Sequence, residues 1–313
     1  MSSDWHQLKS FLSHYKNEDV ALVTLIHVEG SSYRKSGARL LVNRKGAYAG
    51  SLSGGCLEAG LAKLACNVIQ TGEIKEEVVN TEPHFGCPGI LTFLIEKISA
   101  GTLLSQILNE LEKRNSFRLT TTQEGTLLGD HEGFLEEVEP CPRLLISGWT
   151  SDQDPLFQMV SVLGWEAIRL VKDETIAESL QPVANEKIVV CRGEELSKQF
   201  SIDSKTAFVI MSHHMSSDLS YLKNALSLNF FYIGLLGSHR RREKLLTAIG
   251  DFGLMENMDW IDAFHAPVGI DIGATNASTI ALAILAEVQA RLSDTKGGFL
   301  REKPGRITSE VLV

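Results

Sequence analysis

The chain has 313 residues, 43% of them hydrophobic and 22% charged, with a formal net charge of -9. This is the composition of a folded globular protein long enough for two domains, and it excludes disorder as the main state. The negative balance argues against sequence-independent binding to nucleic acid or to an anionic membrane, both of which need clustered positive potential.

In chain order, Leu8, Phe11 and Leu12 share one face of a predicted amphipathic helix over Trp5 to Tyr15. Apolar runs at Ala21 to Val28 and Ala38 to Asn43 predict two strands, closed by turns at Glu29 to Ser32 and Arg44 to Gly46. The small-residue stretch Gly50 to Gly55 then feeds a helix from Cys56, on which Leu57, Leu61, Leu64, Ala65 and Val68 recur at helical spacing. Strands at Glu76 to Val79 and Ile90 to Ile95, a helix over Leu104 to Arg114, and a β-rich connection from Phe117 to Val138 complete the first half. From Arg143 short apolar strands (RLLIS, EAIRLV, KIVVC, AFVIM, FFYIGLL) alternate with helical stretches, the signature of a doubly wound parallel sheet. Helices are expected at Pro155 to Leu163, Ser217 to Leu226, Arg240 to Ile249 and Ala277 to Leu292.

No segment approaches the roughly 18 apolar residues of a membrane span. The start MSSDWHQLKS has no basic or apolar leader character, and the five cysteines show neither CxxC nor zinc spacing. A cytoplasmic protein without nucleic-acid or membrane partners is therefore expected.

Several groups of residues suggest chemistry. In GSLSGGC, glycines admit a ligand to the backbone, and the amides opening the next helix favour an anion, so Ser53, Gly54 and Gly55 are candidates for a phosphate. Cys56, at the positive end of that helix, is a candidate thiolate or soft metal ligand. A tight turn with a buried cysteine fits those residues equally well. Arg34 and Lys35 place two cations in a small-residue turn, and Cys87 lies in the turn Gly86 to Gly89. In the second half, the turn after the first strand keeps only Gly148 as a candidate for cofactor approach. Trp149 stands where a dinucleotide site needs a second glycine, Asp152 and Asp154 would repel phosphate, and Asp173 or Glu174 stands where a ribose-binding acid would. His213 and His214 follow a strand at the ligand-binding edge of the sheet, where at most one can face the crevice. Gly237, Ser238, Arg240 and Arg241 form a basic strand-to-helix turn, the best anion site of this half by sequence. In HAPVGIDIGATN, Thr275 or Asn276 caps a helix, and His265 and Asp271 are the functional candidates.

Taken together, GSSYRKSGARLLVNRKGAYAGSLSGGCLEAG, the Gly86 to Gly89 turn, MSHHMSSDLSYL, YIGLLGSHRRREKLL and HAPVGIDIGATNASTIALAILAEV resemble the XdhC/CoxI family, from about residue 20 to residue 292. The resemblance implies an α/β protein: an N-terminal α+β XdhC/CoxI-type domain over 1–140, a Rossmann-like domain over 141–293, and a tail over 294–313. It implies a chaperone without turnover of its own. Such a chaperone carries the molybdenum cofactor, as molybdopterin or its cytidine dinucleotide form, and assists its sulfuration and insertion into a xanthine dehydrogenase-type molybdenum hydroxylase. The apo-hydroxylase, a sulfurtransferase and a second copy of the chain are the implied partners. Ser53 to Gly55 would cradle the pterin phosphate and Cys56 would contact molybdenum or sulfur. Arg34 and Lys35 would add positive charge at the mouth, with Glu58 either at the site or simply favoured by the helix dipole. Two other readings stay open: an NAD(P)-dependent oxidoreductase with a degenerate turn, and a regulatory partner that binds no cofactor.

Overall fold

The computed structural model describes residues 5–30, 32–55, 57–81, 89–250 and 260–302. The chain forms two compact units, Met1–Cys141 and Pro142–Val313. Among the described residues no helix is long and apolar enough to cross a membrane.

In the first unit, β1 (Val20–Gly30), β2 (Arg39–Asn43), β3 (Tyr48–Gly50), β4 (Lys75–Asn80) and β5 (Gly89–Ile98) form an antiparallel sheet of order β3-β2-β1-β5-β4. The central strand β1 reads as an unbroken apolar run because both of its faces are covered. Ala21, Val23 and Leu25 pack under α2 (Glu58–Thr71) through its Leu61, Ala65 and Val68. Val20 and Leu22 pack under α1 (Trp5–Tyr15) and α3 (Thr102–Lys113) through Leu8, Leu12, Ile107 and Leu111. The stretch expected as a β-rich connection is a sheet of its own, β6 (Phe117–Thr122), β7 (Gly125–Leu128) and β8 (Phe134–Val138), whose Leu119 and Val138 join that second core. The fully buried Arg39 ties the two sheets together. It donates to the Gly37 carbonyl at 3.0 Å, pairs with Glu136 on β8, and lies over the Trp5 ring. The three-residue β3 escapes the sequence pattern, and α2 starts two residues later than predicted, with Leu57 at its N-cap position.

In the second unit, β9 (Arg143–Ser147), β10 (Glu166–Val171), β11 (Lys187–Val190), β12 (Thr206–Ile210), β13 (Tyr232–Leu235) and β14 (Phe264–His265) form a wholly parallel sheet of order β11-β10-β9-β12-β13-β14. This is the Rossmann order, with its direction of winding reversing between β9 and β12. Alternate residues of the strands feed two cores. Leu144, Ile146 and Val209 meet α4 (Asp154–Val162) and α9 (Ala277–Leu292). Leu145, Phe208 and Ile210 meet α7 (Met215–Ala225) and α8 (His239–Gly250). The short α5 (Glu174–Ser179) and α6 (Leu196–Gln199) escape the sequence pattern too, being too brief to show a period.

The cap of α9 is Asn276, whose side chain accepts from the Thr279 amide at 3.0 Å while Thr279 Oγ1 accepts from the Asn276 amide at 3.2 Å. Asn276→Ala should cost about 1 kcal/mol, read as a lowered urea midpoint with an unchanged slope.

Candidate functional site

The small-residue loop of the first unit is built around Glu58, which is 2% exposed. Its Oε1 accepts from the Leu52 amide at 2.8 Å and the Ser53 amide at 2.9 Å. Its Oε2 accepts from the Gly55 amide at 3.0 Å, the Leu57 amide at 3.1 Å and the Ser53 hydroxyl at 2.7 Å. Burial by itself favours the neutral acid, but the hydrogen bonds from Ser53 and Leu52 outweigh it and hold the carboxyl down at about 2. This corrects the phosphate reading of Ser53 and Gly55. Their amides point at an internal carboxylate, and that negative charge opposes a phosphate in the same place. Gly54 and Gly55 adopt φ of 76° and 115° and are exposed, so glycine is required here by the turn itself. Glu58 is therefore the loop's anchor.

The Ser32 to Lys35 turn meets this loop, since a β-carbon on Gly54 would lie 3.6 Å from the Tyr33 ring. Arg34 and Lys35 follow Tyr33 directly in the chain. Cys56 and Cys87 lie outside the described residues.

In the second unit the turn after β9, at the carboxyl edge of the sheet, packs against the protein's own side chains. Gly148, at φ 147°, makes room for Gln153, and a β-carbon there would fall 1.8 Å from Gln153 Nε2. That buried amide donates to the Met211 carbonyl at 2.9 Å and accepts from Arg169 at 3.2 Å. Gly148 therefore serves the fold, which corrects the expectation that it admits a cofactor. Trp149 is stacked by His214 at 4.9 Å between ring centroids, and the Lys172 ammonium lies 5.4 Å from its centroid. The two histidines diverge: His213 bonds Asp152 at 2.9 Å while His214 covers Trp149. Asp154 pairs with Arg169 at 2.8 Å, so both acids expected to repel phosphate are matched with a basic group.

The basic turn before α8 also departs from expectation. Arg241 folds back onto Asp218, with Nη2 to Oδ2 at 2.6 Å, and Asp218 is fully buried and further bonded by the Ser212 amide and hydroxyl. Gly237 permits this, because a β-carbon would lie 2.6 Å from Arg241 Cδ. Arg241 is a structural counter-ion here, which removes it from the predicted anion site; Ser238 receives the Arg241 amide at 3.3 Å, and Arg240 is exposed. His265 stacks on Tyr232 at 4.5 Å and bonds Glu287 at 3.0 Å, while Glu287 also accepts from the Tyr232 hydroxyl and the Gly269 amide. Burial again favours the acid form, and these bonds overcome it and keep Glu287 below the usual carboxylate range. Asp271 is exposed and accepts the Gly273 amide at 3.3 Å.

The profile of the XdhC and CoxI family matches residues 14–79, and that of the XdhC Rossmann domain matches residues 144–288, together about two-thirds of the chain. The chain belongs to the XdhC/CoxI family. Relatives of this XdhC/CoxI chain include a Bacillus subtilis strain 168 protein named as a probable xanthine dehydrogenase subunit, 28% identical over 87% of this chain and 92% of that protein. Another is the Escherichia coli K12 molybdenum cofactor insertion chaperone PaoD, 29% identical over 85% of this chain and 81% of PaoD. A crystal structure of a Bacillus halodurans protein described as a xanthine dehydrogenase superposes with a TM-score of 0.75 at 26% identity, covering 97% of this chain and 98% of that one.

Sequence reasoning on this family member missed Gln153, Arg169, Asp218 and Glu287, the polar groups that hold its loops. The available signal was position. Asp218 opens a helix directly after a strand, and Glu287 interrupts the apolar face between Ile284 and Val288. Among the described residues no three His, Cys, Asp or Glu side chains gather as a metal site.

Glu58→Gln should lower stability by about 2 kcal/mol at neutral pH, since its amide nitrogen cannot accept the loop N–H groups. The native carboxyl, at about 2, lies below its ordinary 4.5. The stabilisation is therefore complete above that ordinary value and is lost as pH falls through the native one. Urea unfolding of wild type and variant should converge in acid, and a constant gap across the range would refute the role of the charge. Arg241→Ala should cost about 3 kcal/mol by leaving Asp218 buried without its cation. Adding Asp218→Ala should recover part of that loss in thermal unfolding.

Proposed function

We propose that this protein carries the molybdenum cofactor and delivers it to a xanthine dehydrogenase-type molybdenum hydroxylase, assisting sulfuration and insertion without turnover of its own. The relatives named for xanthine dehydrogenase and for molybdenum cofactor insertion support this reading. The observation that carries it is local: the amides of Gly55 and Leu57, the two neighbours of Cys56, both donate to the same oxygen of Glu58. The backbone on either side of the thiol-bearing residue is thereby held by a buried charge. A rigidly flanked cysteine suits a soft contact to molybdenum or to a transferred sulfur.

The donor set fits the cofactor only in part. Cys56 supplies the soft ligand type, and the adjoining turn with Arg34 and Lys35 supplies positive charge suited to a pterin phosphate. The loop amides do not serve the phosphate, because Glu58 has them. NAD(P) is left out of the proposal, a reading supported by the Gln153 side chain packed against Gly148 and by the His214 ring stacked on Trp149. The apo-hydroxylase is the proposed client, with a sulfurtransferase and a second copy of the chain as further partners, in the cytoplasm.

Cys56→Ser should fold like the wild type and lose molybdenum cofactor on co-purification, with metal and pterin quantified together. Equal retention by the two proteins would end this role for the thiol.

A further inference from the structure

The turn between β1 and β2 presents one ring to solvent. Tyr33 is 80% exposed, more than any other phenol, phenyl or indole ring among the described residues, and it belongs to none of the four apolar cores. The turn that carries it is tied down: the Gly37 amide donates to the Leu25 carbonyl at 2.8 Å, the Ala38 amide to the Lys35 carbonyl at 3.2 Å, and the Arg34 amide to the Ser32 hydroxyl at 3.3 Å. A ring left in water forgoes the gain of burial, yet single exposed rings are common on protein surfaces. What sets Tyr33 apart is the surface it stands against.

One edge of the ring borders Gly54, where a β-carbon would lie 3.6, 3.7 and 4.0 Å from the ring atoms Cε1, Cδ1 and Cζ. On Gly55, the residue before Cys56, a β-carbon would meet nothing within 4 Å among the described residues. Next to the thiol-bearing residue there is thus open space, with bare glycine backbone beneath it and an aromatic edge alongside. The polar groups of this loop are already engaged. The amides of Leu52, Ser53, Gly55 and Leu57 and the Ser53 hydroxyl all donate to Glu58, whose charge also repels an anion. A flat, neutral ring meets neither obstacle, because it is held by dispersion against the glycines and by aromatic contact with tyrosine.

We infer that Tyr33 is the aromatic wall for the pterin ring system of the cofactor, and so a residue that selects the bicyclic part of the cargo over its phosphate. The inference rests on the carrier reading and deepens it. In that reading Cys56 serves the metal or sulfur and Arg34 and Lys35 the phosphate, which leaves the ring system without a partner of its own.

The full chain, produced in cells that make no molybdenum cofactor, is titrated with 6-hydroxymethylpterin, a fluorescent neutral pterin without phosphate. The same proteins made in cells that supply the cofactor are assayed for co-purifying molybdenum and pterin. Wild type should quench the probe saturably, and inorganic phosphate should not displace it. Tyr33→Leu should weaken the probe about tenfold, the scale of one lost aromatic stack, and carry less cofactor. Tyr33→Phe, which keeps the ring, should stay within about twofold of wild type, with unchanged melting temperatures in both variants. Cys56→Ser should bind the probe like wild type while losing the whole cofactor. The inference is overturned, with the carrier reading left standing, if wild type retains the cofactor and Tyr33→Leu holds cofactor and probe equally well. It is likewise overturned if Tyr33→Phe loses as much as Tyr33→Leu, or if phosphate displaces the probe. A wild type that retains neither cofactor nor probe removes the carrier reading and the wall together.

Discussion

A carboxylate withdrawn from water is stable only where other donors replace the solvent it has lost. Glu58 meets that condition with the amides of Leu52, Ser53, Gly55 and Leu57 and the hydroxyl of Ser53. The relation is mutual, because a glycine turn that exposes several N–H groups in one direction needs an acceptor for them. One side chain on the first turn of α2 thus gathers the backbone of Leu52, Ser53, Gly55 and Leu57. It also converts what reads as an anion cradle into an internally satisfied loop.

The second unit uses the same principle repeatedly. Asp218 gathers Ser212 and Arg241, Glu287 gathers His265, Tyr232 and the Gly269 amide, and Gln153 links Arg169 to the Met211 carbonyl. Asp218 with Ser212, and Gln153 with the Met211 carbonyl, sit at the carboxyl edge of the sheet, the edge that carries ligands in other proteins of this topology. Next to the turn after β9, that edge carries the Gln153 side chain and the Trp149 and His214 stack.

Much of the architecture was legible in the residues. The apolar strands from Arg143 onward, separated by helices, could bury both sheet faces in only a few ways, and the observed order is one of them. Where a dinucleotide site would carry a second glycine, Trp149 stacks on His214. The failures share a cause: Arg241 and the loop amides look like ligand groups until their partners are known, and those partners, Asp218 and Glu58, are chosen by packing. Asp218 is 23 residues from Arg241 in the chain, beyond any spacing rule. Glu58 was near enough to suspect, yet its direction depends on the turn at Gly54 and Gly55.

By itself, the sequence determined the alternation of apolar and polar residues, hence the two layered units, the parallel winding of the second, and the chain's kinship. Those follow from local periodicity and from the requirement that apolar faces be covered. Which charges remain available to a ligand was decided only in three dimensions. A charge is engaged or free according to what lies within about 3 Å of it, and folding brings such neighbours together from distant parts of the chain.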